Sequence, residues 1–344
     1  MNGRVPSWAR SNSVLHLVIL PTEGCNFRCV YCYEDFALSR MSPSVVSGVE
    51  RLLTARFPEL ERLDVSWFGG EPLLASDIMV TILEHVAELR ANHPETAFVS
   101  DVTTNAYQLD GELLRRLVGL GVQTFQITLD GTGPAHDLKR RRADGRGTFD
   151  VIWSNLMTMR ASDVPFEAML RLHVDRTNRE DMARLLDECG GAFRDDPRFA
   201  FFIRPLSRLG GAQDARLPSL DTREAPEVLA ALKNHAIGLG LRLWEGANAE
   251  PVCYAARPNS LVIRADGRIN KCTVALRDPR NTVGHLHADG TVSLDRDAML
   301  PWIRGMWTGR RTDLVCPFSG LKASAEPLPE EPVSQAVGDS GLTR

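Results

Sequence analysis

Between Val14 and Leu206, short β-rich runs alternate with amphipathic helical stretches, and this alternation limits the possible folds more than any other feature. The β-rich runs are residues 14–20, 63–68, 98–103, 124–129, 167–174 and 199–203. The helical stretches are 42–57, 77–91, 110–120, 149–160 and 178–189, the first with Ser42 as N-cap and Pro43 at the first helical position. Strands separated by helices of about 10–15 residues call for parallel crossovers. A run that is apolar throughout, such as 199–203, is what a strand covered on both faces looks like. The pattern predicts an α/β fold, a partial (β/α)6 barrel two units short of a closed eight.

After Trp244 the pattern changes. Asp266-Gly267 separates runs 260–264 and 268–273, and Asp289-Gly290 separates 283–287 and 291–294. Asp-Gly between two β-rich runs signals a tight hairpin, so a small C-terminal antiparallel β module is expected. The stretch from Ala323 is rich in Pro, Glu, Ser and Gly and is expected to be disordered. The domain reading is therefore an N-terminal segment 1–13, a barrel 14–245, a module 246–322 and a tail 323–344.

Composition narrows the function. Forty Lys and Arg against 44 Asp and Glu leave a net charge of −4, without the field of a non-specific nucleic-acid or anionic-membrane binder. The apolar run 14–20 is far shorter than the ~20 residues of a membrane span. It is also too short for a signal-peptide core, and no small-x-small cleavage site follows it. Glu23 stands where a lipoprotein signal would place a small residue before Cys25. Seven cysteines is an odd number in a long chain, which argues against a secreted disulfide scaffold and for a reducing, cytoplasmic setting.

Three cysteines crowd into eight residues, Cys25, Cys29 and Cys32, just after the first strand. The loop belongs at the C-terminal rim, where β/α barrels keep their chemistry. Three thiolates are one too few for a closed tetrahedral zinc site. A four-iron cluster held by three cysteines leaves one iron open to a small molecule. Gly69-Gly70-Glu71-Pro72 closes the second strand, with glycines that permit close approach of the backbone and a carboxylate able to receive an ammonium group. Thr103-Thr104-Asn105 ends the third strand, and Thr128-Leu129-Asp130-Gly131, followed by His136-Asp137, ends the fourth. Arg171 and Arg204 lie within apolar strands, and each is expected to pair with an anion, either a ligand's or a structural carboxylate. The run Lys139-Arg140-Arg141-Arg142 is expected as a solvated loop, with one Arg able to anchor a carboxylate.

Cys-x3-Cys-x2-Cys, with Tyr31 before the last cysteine, resembles the signature of the radical S-adenosylmethionine (SAM) superfamily. The resemblance implies a [4Fe–4S] cluster on Cys25, Cys29 and Cys32, with SAM chelating the fourth iron. Reductive cleavage of SAM then yields a 5′-deoxyadenosyl radical that abstracts a substrate hydrogen. By the same resemblance Gly69, Gly70 and Glu71 hold the methionyl amine. Tyr31, Thr104, Asn105 and Arg171 contact SAM or shape its pocket, and Asp130 touches substrate or the SAM ribose. The Thr128–Asp137 region is similar to the peptide-modifying branch. Cys253, Cys272 and Cys316 resemble a reduced auxiliary-cluster domain, twitch- or SPASM-like, with Asp313 standing where a further cysteine would fall. Their number excludes a second auxiliary cluster and leaves room either for one, its fourth ligand Asp313, water or substrate, or for a relict fold whose cysteines merely pack. Cys189 is expected to be structural.

The leading expectation is an enzyme that abstracts hydrogen from a ribosomally made precursor peptide, leading to a crosslink, an oxidation or an epimerisation. Its expected partners are that peptide and a reductant such as flavodoxin or ferredoxin. With 24 residues ahead of Cys25 and no room for a recognition domain, the precursor's leader binds the barrel or a separate peptide-recognition protein. No nucleic acid or membrane is expected. Three alternatives stand beside this reading: a radical SAM dehydrogenase of a small molecule, a formylglycine maturase of the sulfatase type, and a non-enzymatic iron–sulfur or zinc protein.

Overall fold

The structure is a computed structural model that describes residues 5–244 and 252–321. In chain order its strands are β1 (Val14–Ile19), β2 (Arg62–Trp67), β3 (Ala97–Thr104), β4 (Val122–Leu129), β5 (Glu167–Val174), β6 (Phe199–Pro205), β7 (Ser260–Ile263), β8 (Arg268–Asn270), β9 (Thr282–Leu286) and β10 (Val292–Leu294). The first six strands are followed by helices α1 (Pro43–Arg56), α2 (Ser76–Asn92), α3 (Gly111–Gly119), α4 (Gly133–Lys139) and α5 (Phe149–Ala161), α6 (Arg179–Phe193), and α7 (Ala225–Gly238). The described residues divide into two compact units, one of 5–24, 36–100 and 252–321, the other of 25–35 and 101–244.

In the first unit β1 runs parallel to β2 on one side and to β7 on the other. Every β1 residue is buried, as expected of a strand flanked and covered all round. From β7 the sheet continues through β8 and β9 to β10 in antiparallel steps, and both hairpins turn where the Asp-Gly pairs predict. In the second unit β4, β5 and β6 are parallel. The architecture is the expected α/β partial barrel with a C-terminal antiparallel extension.

Local chemistry sets the element boundaries. Ser42 Oγ accepts the Val45 N–H at 3.4 Å and Pro43 is the first residue of α1, as predicted. Asp110 caps α3 by accepting the Leu113 N–H at 2.8 Å. Helix α7 is absent from the sequence reading because its apolar stripe is thin: only Leu232 and Ala236 are buried. No helix among the described residues is long and apolar enough to cross a membrane. The expected tail 323–344 and the expected boundary at 245/246 lie outside the described residues.

Two features of the first unit hold the segment that leads into Cys25. Glu23, 2 % exposed, forms a two-pronged ion pair with Arg264, Nε to Oε1 at 3.0 Å and Nη2 to Oε2 at 2.5 Å. Arg264 also donates to the Leu276 carbonyl. This pair joins the end of β1 to the β7–β8 hairpin, 241 residues away in sequence. The second feature is backbone on backbone. Gly69 has φ +121°, and a Cβ there would lie 2.1 Å from the Thr22 carbonyl oxygen. At Gly70 a Cβ would lie 2.5 Å from the Gly24 oxygen, and the Glu71 N–H donates to that same oxygen at 3.0 Å.

Removing one partner of a buried ion pair leaves the other charge unpaired, at a cost of about 3–5 kcal/mol. Arg264→Met is expected to lower stability by about that amount, read from the urea unfolding midpoint. The solvent-facing pair Arg268–Asp266 provides the control, with Arg268→Met costing less than about 1 kcal/mol.

Candidate active site

The cysteine loop follows β1, and in the second unit it is laced to the segment after α4. Val30 N–H donates to the Lys139 carbonyl at 3.0 Å, Arg28 N–H to Arg141 at 2.8 Å, and Ala143 N–H to Asn26 at 2.8 Å. Phe27 and Arg142 form an antiparallel bridge. The run Lys139–Arg142 is therefore not the solvated loop that its charge suggested. It forms the backing strand of the cysteine loop, with Arg140 buried, Lys139 paired to Asp175 and only Arg141 fully exposed.

Arg140 connects this backing to β4. Its Nη1 donates to the Tyr31 hydroxyl oxygen at 2.6 Å, and the Tyr31 O–H donates to Asp130 Oδ2 at 2.5 Å. The Arg140 Nε lies 4.0 Å from that same carboxylate oxygen, and its guanidinium sits 5.8 Å from the Phe27 ring centre. His173 packs edge-on against Tyr31, with its Nδ1 3.3 Å from Asp130 Oδ1. Asn178 fixes the turn after β4 by donating to the carbonyls of Asp130 and His173.

Burial alone would raise the Asp130 carboxyl. The adjacent His173, with Arg140 and His136, outweighs burial and holds it well below the usual carboxylate range. Burial opposes the Arg140 charge too, yet Tyr31, Cys29 and Asp130 keep the guanidinium charged. His136, with no exposed surface, is pushed down to about 4 by burial and then by Arg140. It is a neutral imidazole whose Nδ1 accepts the Asp130 N–H at 3.3 Å.

Cys25, Cys29 and Cys32 are half-buried thiols. Burial raises Cys29, with Arg140 pulling the other way, and pushes Cys32 up to about 11. Backbone already donates to sulfur here, from the Phe27 N–H to Cys25 Sγ at 3.3 Å. Thiols kept protonated by burial become thiolates when cationic iron compensates them, and N–H donors and a neighbouring guanidinium suit such thiolates. Among the described residues no three His, Cys, Asp or Glu side chains converge on one ion. A four-iron cluster sets each thiolate on a different iron and needs no such convergence.

The other predicted positions divide between the units. In the second unit Asn105 bridges Asn26 Oδ1, at 2.8 Å, and the Tyr107 N–H, so it tethers the cysteine loop. Thr104 Oγ1 accepts the Ala106 N–H. Arg171 donates from Nε to Thr128 Oγ1 at 3.1 Å. In the first unit Glu71 is 1 % exposed, and its Oε1 accepts the Leu73 N–H at 3.0 Å. Cys189 is buried inside α6.

The first unit also gathers Cys253, Cys272 and Cys316: burial raises the Cys253 thiol, with Cys272 and Cys316 adding to it, and burial raises Cys272, with Cys316 adding to it. Buried Asn281 shapes the Cys272 turn. Its Oδ1 accepts the N–H groups of Lys271 and Cys272, and its Nδ2 donates to the carbonyls of Cys272 and Ala275. The Val274 N–H points at Cys272 Sγ at 3.4 Å. Asp313 has its carboxylate committed elsewhere, to Arg304 at 2.8 Å and Thr308 at 3.2 Å.

Sequence reasoning allowed one Arg of the 139–142 run to anchor a carboxylate without singling out Arg140, and it missed His173 and Lys271. Arg140 was detectable, since His136 and Arg140 stand at the i,i+4 spacing that shares one helix face. Lys271 is fully buried and donates to the carbonyls of Arg257 and Ser260 at 2.6 and 2.5 Å, contacts that nothing local in the sequence announces.

Residues 19–189 match the Radical SAM superfamily. The chain is 32 % identical over 189 residues to the GTP 3′,8-cyclase of Microcystis aeruginosa, which is 52 % of this chain and 54 % of the cyclase, so it spans about half the length of that relative. It is 22 % identical over 306 residues to the sporulation killing factor maturation protein SkfB of Bacillus subtilis, covering 87 % of this chain and 68 % of that protein. The solved structure of native anSMEcpe with bound AdoMet and Cp18Cys peptide superposes with a TM-score of 0.59 at 19 % identity, over 83 % of this chain and 80 % of that one, a likeness of fold.

Two outcomes follow from the buried network. Tyr31→Phe removes two hydrogen bonds to charged groups and is expected to cost about 2–3 kcal/mol in chemical denaturation. His136 is neutral in the fold but takes a proton when unfolded below about pH 6.5. Stability is therefore expected to fall as the pH drops from about 6.5 to about 4 and to level off below that. In His136→Gln the pH dependence over this window should flatten, by up to about 3 kcal/mol between its ends.

Proposed function

Because residues 19–189 make the chain a member of the radical SAM superfamily, we propose that it is an enzyme that cleaves S-adenosylmethionine at a [4Fe–4S] cluster and takes hydrogen from a ribosomally made precursor peptide. The observation that carries the cluster assignment is the Cys25, Cys29, Cys32 loop, with half-buried thiols, N–H donors to sulfur and the Arg140 cation behind it. Once bound, cluster and SAM supply a one-electron reduction that ends in a hydrogen-abstracting radical.

This chain's own residues do the holding. Arg140, Tyr31 and Asp130 lock the cysteine loop to the end of β4, and Asn105 secures it through Asn26. Glu71 is the carboxylate assigned to the SAM ammonium, on a backbone segment that Gly69 and Gly70 allow to lie against Thr22–Gly24. Cys253, Cys272 and Cys316 are assigned to one auxiliary cluster in a twitch- or SPASM-like module. With the Asp313 carboxylate held by Arg304 and Thr308, water or substrate is the better fourth ligand.

Length of alignment favours peptide over nucleotide. The cyclase aligns over about half of this chain, whereas a peptide maturation protein aligns over 306 residues, C-terminal module included. The reaction needs an external one-electron donor such as flavodoxin or ferredoxin. Seven thiols suit a reducing cytoplasm.

The test is anaerobic. Cys29→Ala is expected to abolish reductive formation of 5′-deoxyadenosine from SAM, and unchanged formation would overturn the assignment. Iron and sulfide content of the Cys25/Cys29/Cys32→Ala triple variant then counts the rest. About four irons retained would establish the auxiliary cluster, and none would remove it.

A further inference from the structure

We propose that Lys271 and Tyr254 are positioning residues for the cluster assigned to Cys253, Cys272 and Cys316, and that they hold its reduction potential up, Lys271 by its charge and Tyr254 by a hydrogen bond to the Cys272 sulfur. This rests on the auxiliary-cluster reading above and deepens it. The donor set fits a cluster of thiolates, since each of the three sulfurs already receives a hydrogen bond. The Ala255 N–H serves Cys253, the Val274 and Ala275 N–H groups serve Cys272, and the Ser319 hydroxyl donates to Cys316 Sγ at 3.2 Å. Hydrogen bonds to sulfur and nearby positive charge both favour the reduced, more negative form of an iron–sulfur cluster.

Tyr254 follows Cys253 in the chain, yet its hydroxyl reaches the Cys272 turn. There it accepts the Thr273 N–H at 2.8 Å and lies 2.8 Å from Thr273 Oγ1. With the Thr273 N–H and O–H filling its acceptor positions, the phenol's own proton is donated to the Cys272 sulfur.

Lys271 immediately precedes Cys272 and has no exposed surface. Its ammonium is held by the carbonyls of Arg257 and Ser260, and by no carboxylate among the described residues. By contrast, Arg264, Arg280 and Arg304 of the same unit pair with Glu23, Asp278 and Asp313. Arg257 ends the short turn Tyr254–Ala256 that Cys253 opens, so the lysine ties the Cys272 turn to the Cys253 turn. Burial and the positive charge of Arg257 push Lys271 down to about 7, and the group that opposes them is Cys253. A buried ammonium without a counter-ion is costly, and thiolates on a cluster supply the negative charge that no carboxylate supplies here.

The test uses the Cys25/Cys29/Cys32→Ala chain, reconstituted anaerobically, in which the auxiliary cluster is the one left to titrate. Its midpoint potential is read from the EPR signal of the reduced cluster during a dithionite titration. Lys271→Gln keeps an N–H donor for the carbonyls and removes the charge, whereas Tyr254→Phe removes only the hydroxyl. Each variant is expected to keep about four irons. Each should disfavour reduction by about tenfold, a fall in midpoint of about 59 mV for one electron. Arg268→Met removes a solvent-facing charge from the same hairpin and should leave the midpoint in place.

A packing role alone would move the urea midpoint or the iron content and leave the potential where it is. An unmoved or raised midpoint in Lys271→Gln would overturn the role of the charge, and the same result in Tyr254→Phe that of the hydrogen bond. Iron lost from Lys271→Gln would make that residue a structural tie instead, and Tyr254→Phe would then decide the rest. A triple variant that holds no iron would overturn the auxiliary cluster and this inference with it, an outcome distinct from a cluster whose potential does not move.

Discussion

A guanidinium held in the protein interior needs charge and hydrogen-bond acceptors around it, and much of the second unit is arranged to meet that need for Arg140. The Tyr31 hydroxyl and the Asp130 carboxylate answer it directly, and His173 braces the same carboxylate from its other oxygen. The chain passing through Arg140 also supplies the carbonyls and N–H groups that pair with residues 26–30. One charge thus determines where the cysteine loop lies, which way Tyr31 points and why the turn after β4 carries an aspartate. It also places a fixed positive charge beside Cys29, where thiolates would otherwise repel one another.

The first unit solves a different problem by different means. The segment that delivers Cys25 is fixed by the Glu23–Arg264 pair and by contact between two stretches of backbone. The contact is close enough that Gly69 and Gly70 have no room for a side chain. The glycines therefore do more than leave a ligand free access: they let the end of β2 lie against the residues before the cysteine loop. Glu71 is positioned as a consequence, its N–H on the Gly24 carbonyl and its carboxylate capping the short turn that follows.

The legible and the illegible parts differ in range. The cap at Ser42, the Asp-Gly hairpins and five of the seven helices that follow β1 to β6 were readable, because each depends on residues a few positions apart. The two missed helices fail for stated reasons: α7 buries only two side chains, and α4 carries the start of a charge run that reads as solvent-facing. The cysteine triplet was readable because a short loop puts its chemistry in consecutive sequence. The roles of Arg140 and Lys271 were not, since a lone basic residue is ordinarily exposed and only its distant partners reveal otherwise.

The sequence by itself determined the alternation that makes a parallel α/β sheet, the hairpin module at its end and the three-thiol loop after the first strand. These follow from periodicity, turn chemistry and spacing, which are local properties of a chain. Only the tertiary structure decided which charges are paired. It committed Asp313 to Arg304, turned Lys139–Arg142 from a surface loop into the backing of the cysteine loop, and gave Arg171 the Thr128 hydroxyl and Arg204 the Phe202 ring. The physical reason is that the fate of a charge depends on burial and on partners within a few ångströms, and in this fold those partners come from strands and loops up to 241 residues away.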